Sequence, residues 1–350
     1  MLLAIDLALI IEKLVLIIIV VMASLVIAMY ATYGERKIAA VLQDRRGPNR
    51  AGPFGILQPL ADGLKLFFKE DIIPSFSSKA LFILGPSLAM LTAIMTSAVV
   101  PWGNTVHLFN RDISLQIADV NVGILYVFAV VSMGVYGIMI GSWASNNKFS
   151  LIGGLRAASQ IISYELAMGI SLIALLMVTG TLSLKEMVVQ QQAGYWNILY
   201  QPLGFVLFLI CAFAECNRTP FDLPEAENEL IGGYHTEYSS MKLGFYLFSE
   251  YINMFVSSVI MATLFFGGYD IPFVNEANYD QNWMALFGVM ALMAKVVCFI
   301  FLFMWVRWTI PRFRYDQLMN LGWRILIPLA LFNMLVTGAL ILFKQNNWHF

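Results

Sequence analysis

Residues 8–32 read ALIIEKLVLIIIVVMASLVIAMYAT. After Glu12 and Lys13 the run holds no acid or base up to Thr32. As α-helix it covers about 28 Å, close to the ~30 Å hydrocarbon thickness of a bilayer. A cleaved leader would carry a basic segment first, and this end has none, so the run reads as a spanning helix. The same signal recurs at roughly 79–100, 120–143, 158–180, 202–217, 243–268, 283–307 and 323–343. The sequence therefore predicts an all-α polytopic membrane protein with eight transmembrane helices, forming one membrane domain over residues 1–350. Composition agrees: mean hydropathy is +0.75 and 12% of residues are charged, against about 25% in soluble domains. A spanning barrel would show alternating segments of about ten residues, and this sequence does not.

Net charge is −1, so bulk electrostatics give no pointer to nucleic acid. The distribution is lopsided, however. With eight helices, sixteen of the 21 Lys and Arg fall on the odd-numbered connections or at their edges. By the positive-inside rule those connections face the cytoplasm and both termini lie on the non-cytoplasmic side. The three cysteines (Cys211, Cys216, Cys298) lack the number and spacing of iron–sulfur or structural zinc ligands. The three histidines lie in connections or at the C-terminus. No dinucleotide or P-loop glycine pattern occurs. The chain is expected to bind no metal and to carry no redox cofactor.

Two of the cytoplasmic connections are long and unusual. In the first, Gly47-Pro48, Gly52-Pro53 and Gly55 bar a helix before residue 56. Leu57, Leu60, Leu64, Phe67 and Phe68 then recur at helical spacing among Asp62, Lys65 and Lys69. This predicts an amphipathic helix lying in the cytoplasmic membrane surface. It reads as a plain anchor unless Asp62, placed among its apolar positions, has a further role. The second connection contains PFDLPEAENEL at 220–230, with Glu225, Glu227 and Glu229 at alternate positions. Glu165, Glu215, Glu250 and Lys295 fall within or at the edges of predicted helices. Charge at mid-bilayer costs about 3 kcal/mol on insertion scales, so such groups face protein or a wet cavity, where they pair, bind ions or relay protons. Two readings stand. The acids form a file that holds and passes protons, since burial and crowding favour the protonated carboxyl. Or they form a solvated loop and structural ion pairs, with Lys295 opposite a glutamate. Gly137 and Gly141 in GVYGIMIGSW suit close helix packing.

Three blocks carry a resemblance: GERKIAAVLQDRRGPNRAGPFGILQPLADGLKLFFKED, AECNRTPFDLPEAENELIGGYHTEYS and FMWVRWTIPRFRYDQLMNLGW. They resemble, in order and over nearly the full length, the quinone-proximal membrane subunit family of respiratory complex I. That family is the H subunit of NADH-quinone oxidoreductase, also called NADH dehydrogenase subunit 1. Cys216 departs from it where a threonine or similar is expected. The resemblance implies a subunit of a proton-pumping NADH:quinone oxidoreductase in a bacterial cytoplasmic (inner) membrane, with quinone as substrate. FMN and iron–sulfur clusters belong to partner subunits. Those partners are the peripheral arm that closes the quinone site and the antiporter-like and small subunits of the membrane arm. Arg36, Arg46, Asp62 and Phe221 match the quinone path. Glu225, Glu227 and Glu229 match the acidic connection, where protonation couples to redox chemistry. Glu165, Glu215 and Glu250 match the proton path inside the membrane. The alternatives are a homologous subunit of an energy-converting hydrogenase or formate-linked complex, a stand-alone secondary transporter, which often shows interrupted symmetric repeats, and a purely structural anchor.

Overall fold

The computed structural model describes residues 7–108, 111–272 and 281–346. Thirteen helical segments follow in chain order: α1 (Leu7–Leu42), α2 (Gln58–Phe67), α3 (Lys79–Thr96), α4 (Gly123–Ala144), α5 (Lys148–Thr179), α6 (Leu184–Ala193), α7 (Asn197–Tyr200), α8 (Pro202–Glu215), α9 (Glu227–Leu230), α10 (Ser240–Phe265), α11 (Gln281–Thr309), α12 (Tyr315–Asn320) and α13 (Ile327–Asn346). Seven described helices are long and apolar enough to cross a membrane. They are α1, α3, α4, α5, α10, α11 and the continuous helix from α12 to α13. The two parts of that last helix are joined by a π-helical turn, Leu321–Leu326.

The expected helix over 202–217 is α8, 14 residues long, or about 21 Å. Pro202 starts it abruptly, and the single turn of α7 precedes it across Gln201. Proline has no amide proton to continue a helix but is suited to its first position. The apolar stretch is thus broken into a turn and a shorter rod. A second difference is a small antiparallel hairpin, β1 (Thr105–Leu108) with β2 (Arg111–Ser114), between α3 and α4. The amphipathic helix appears as α2, beginning just after the last of the glycine–proline breaks.

Helices α3 and α4 pack on small residues. A methyl group added at Gly85 would stand 2.7 Å from the Gly141 Cα, and one at Gly137 would stand 2.8 Å from the Ala89 nitrogen. The backbones therefore meet without side chains between them. Of the long apolar helices, α10 is the most enclosed, packed against α1, α2, α3, α8 and α11. Phe205 of α8, Phe265 and Phe266 at the end of α10, and Phe299 of α11 interlock edge to face or tilted.

Lys295 of α11 closes that end of α10. Its ammonium donates to the carbonyls of Phe266, Gly268 and Asp270 at 2.7, 2.8 and 2.7 Å and lies 4.8 Å from the centre of the Trp196 ring. A cation at a helix C-terminus satisfies the last carbonyls and complements the dipole. Where the ion-pair reading would put a glutamate opposite Lys295, the ammonium has these carbonyls, with Asp270 as an electrostatic partner. Lys295 is a clamp on α10 and stands apart from the acidic file.

Candidate functional site

Helix α1 runs on to Leu42, well past the apolar run that ends at Thr32. Glu35 and Arg36 therefore sit on a rigid rod instead of a loose connection. Arg36 and Asp62 of α2 meet, with Arg36 Nη1 donating to Asp62 Oδ2 at 2.6 Å. Gln58 Nε2 donates to the other carboxylate oxygen at 3.1 Å. Both groups line a cavity of about 410 Å³ bounded by α1, α2, α10 and α11, together with Met29, Leu247, Phe248, Tyr251 and Trp308. Most of the wall is uncharged and largely apolar, and its charged groups are Glu35, Arg36, Asp62 and Lys65.

Glu35 also lines this cavity and is buried. Its carboxylate contacts Arg218 Nη1 at 3.1 Å and Arg307 Nη1 at 2.7 Å, and accepts from the Tyr251 hydroxyl at 2.8 Å. The Arg218 guanidinium lies 4.0 Å from the centre of the Tyr251 ring. Two of its nitrogens, Nε and Nη2, are buried with no hydrogen-bond partner. Arg218 also interacts electrostatically with Glu250. It therefore bridges the cavity wall and the carboxylates behind it.

Those carboxylates form a connected set. Glu250 of α10 accepts from the Tyr234 hydroxyl at 2.7 Å and is in hydrogen-bonding contact with Glu225. Burial, then the adjacent Glu250, pushes the Tyr234 phenol well above its ordinary range, so it remains a donor at neutral pH. Glu215 and Glu250 face one internal cavity of about 40 Å³ that also exposes Asn217, Ser249 and Asn253. A polar space of this size admits water. Glu215 interacts electrostatically with Glu165 of α5, and Glu165 accepts a short hydrogen bond from Ser132 of α4. Asp222 accepts from Arg312 at 2.6 Å through Oδ2, while its Oδ1 is buried without a partner. Burial, followed by the neighbouring Glu225, pushes Asp222 up to about 7 against the pull of Arg312.

The expected residues do not all converge. Arg36 and Asp62 meet at the large cavity; Glu225, Glu250, Glu215 and Glu165 join behind it. Arg46 is exposed in the turn after α1 and does not line the cavity. Phe221 is buried between Tyr164 and Phe313, ring centres 5.3 and 5.6 Å away, and packs the connection down instead of facing the cavity. Glu229 is exposed and pairs with Arg156 at 2.8 Å. The side chain of Glu227 lies outside the described residues. Glu35, Tyr234, Tyr251 and Arg307 join the site without a motif that marks them. A lone acid beside two bases in GERK is the one available signal for Glu35. Among the described residues, no group of three or more His, Cys, Asp or Glu stands together as metal ligands do.

A polytopic helical membrane protein with a ligand-sized cavity and a buried file of acids is the class these features define. Residues 14–338 match the family model described as NADH dehydrogenase. The chain is 66% identical over 331 residues to an H subunit (copy 1) of NADH-quinone oxidoreductase from Cytophaga hutchinsonii, covering 95% of this chain and 97% of that protein. It is 65% identical to the H subunit of the same enzyme from Flavobacterium psychrophilum, covering 97% and 100%. It is 49% identical to an H subunit from Geobacter metallireducens, covering 97% and 99%. The chain belongs to the NADH dehydrogenase family and is a membrane subunit of an enzyme complex.

Proposed function

We propose that this chain forms much of the quinone chamber of a proton-pumping NADH-quinone oxidoreductase and carries the carboxylates that couple quinone reduction to proton translocation. It crosses a bacterial cytoplasmic membrane eight times, α7 and α8 together making the fifth pass, with both termini outside. Peripheral-arm partners supply electrons from their own clusters and close the chamber. Membrane-arm partners receive the coupled protons. The observation that carries this reading is the cavity between α1, α2, α10 and α11, whose charged wall abuts the acidic file through Arg218. The aliphatic and aromatic lining suits a ring with a long apolar tail, which favours quinone over a hydrogenase-type reading.

Reduction of a quinone to a quinol consumes two electrons and two protons. Arg36 and Asp62 set the field at the cavity wall and orient the headgroup. Charge arriving on the ring is felt by Arg218, which shares its positive charge between Glu35 and Glu250. When the ring draws on that charge, the carboxyls behind it lose part of their compensation and bind protons more tightly. The contact between Glu225 and Glu250 can carry a proton from one carboxyl to the other. The wet cavity continues the path to Glu215, and Glu165 completes it in the membrane plane. Moving a charge against the potential takes about 2.3 kcal/mol per 100 mV, so several groups and partner subunits share the work.

The test uses the intact complex in proteoliposomes. Asp62→Asn is expected to raise the apparent KM for quinone several-fold. Glu250→Gln is expected to abolish coupled pumping while the complex still assembles. An unchanged KM in the first leaves α2 as an anchor. Wild-type turnover and pumping in the second removes the file from the mechanism.

A further inference from the structure

His235 lies in the single turn Gly233–His235 that leads into α10. Its neighbour Tyr234 holds Glu250, whereas the imidazole makes no hydrogen bond to the file. The ring Nδ1 is buried and has no hydrogen-bond partner, and the same is true of Glu225 Oε1. These two orphaned atoms face each other at 3.8 Å. An unpaired buried polar atom costs about 1–3 kcal/mol. Two of them opposed across one gap, with complementary donor and acceptor chemistry, are placed so that a small movement would join them. A shift of about 1 Å brings the pair to normal hydrogen-bond length. The residue as a whole is only half-buried, with 20% of its side chain exposed. Its other ring nitrogen, Nε2, lies towards the segment at Gly232. One nitrogen thus points at the file and the other away from it.

We propose that His235 is the proton-loading residue of the carboxylate file, exchanging a proton between water at Nε2 and Glu225 at Nδ1. This rests on the reading of Glu225 and Glu250 as a proton path. The step balances on the ring. A proton from water arrives at Nε2 while the Nδ1 proton passes to a Glu225 oxygen, leaving a neutral imidazole and a neutral carboxyl. Glu225 hands its proton to Glu250 across their existing contact, and a rotation of the ring carries Nδ1 to solvent, where it regains a proton while Nε2 releases one, restoring the starting tautomer. Imidazole suits this position because it carries two distinct nitrogens, one able to accept a proton while the other gives one up. Arg218, which interacts electrostatically with Glu250, favours the ionised carboxylate, so it resists loading and promotes release. His235 does not line the large cavity. It acts through Glu225.

The experiment compares His235→Asn and His235→Ala in the complete complex in proteoliposomes, beside Glu250→Gln as a reference. Asparagine keeps a short hydrogen-bonding side chain that does not titrate, so it preserves packing while blocking exchange. His235→Asn is expected to slow coupled quinone reduction about a hundredfold, the lower end of the range for losing a proton-transfer group. His235→Ala is expected to be as slow and to recover with added imidazole in proportion to its concentration. A purely structural role would not respond to free imidazole. Wild-type turnover in assembled His235→Asn, or assembled His235→Ala that imidazole does not restore, overturns the proposal. If His235→Ala fails to assemble on native gels, the Asn variant alone decides. If Glu250→Gln pumps normally, the file itself has failed. If Glu250→Gln stops pumping while His235→Asn is normal, only the role of His235 falls.

Discussion

Glu35 is buried between two arginines and a tyrosine, and that arrangement is asymmetric in energy. Assembling buried ions gains little net stability, but removing one partner strands the others. Glu35→Gln is expected to cost about 3 kcal/mol or more, read as a fall in the thermal midpoint of the detergent-purified complex. An unchanged midpoint would mean that water already screens Arg218 and Arg307. Asp222 gives a pH prediction. Its carboxyl is pushed up to about 7 from an ordinary 3.8, so the folded state holds the proton more tightly than the unfolded one. The stabilisation is complete below about pH 4 and is lost as pH rises through about 7. Asp222→Asn is expected to flatten the midpoint between those limits; an unaltered slope would show that Arg312 keeps Asp222 ionised. At this scale the sequence is only partly legible. Alternate spacing of Glu225, Glu227 and Glu229 suggests equal standing, but Glu225 is largely buried against Glu250 while Glu229 pairs outside with Arg156. The backbone there turns from the α9 helix into left-handed Ile231, so no simple period sorts inside from outside.

Elements are more legible than residues. Long apolar runs declare themselves because hydrocarbon tolerates few charges, and the breaks before α2 declare themselves because glycine and proline act locally. Two features have no such signal. The extension of α1 to Leu42 is masked by its charged tail, which reads as a connection although nothing in it stops a helix before the Asp44–Gly47 turn. Glu35 is hidden with it. The second is Lys295, for which sequence suggests a glutamate partner. Backbone carbonyls at a helix end carry no sequence signature. Lys295→Met leaves the Phe266, Gly268 and Asp270 carbonyls without their cation. It is expected to cost at least about 2 kcal/mol, the scale for hydrogen bonds to a charged group. Faster proteolysis of the segment after α10 would report it, and wild-type resistance would assign the clamp to Trp196 and the phenylalanines instead.

For the whole molecule, sidedness has a direct readout. The proposed eight passes would place the turn after α1 and the end of α13 on opposite faces. Cysteines introduced at Arg46 and at Lys344, in a background lacking the native three, are expected to react with a membrane-impermeant maleimide from opposite sides of sealed vesicles. Labelling of both from the same side would mean an even number of crossings between them and would remove the fifth pass through α7 and α8. The molecule as a whole also has an electrical consequence at the cavity wall. Arg36, Lys65, Arg218 and Arg307 stand against Glu35, Asp62 and, behind the wall, Glu250, so one cation is left over when all three acids are ionised. For a quinone seated there, that surplus raises the midpoint potential of the first electron relative to quinone dissolved in lipid. The wall would then draw electrons from a weaker reductant than the free pool accepts.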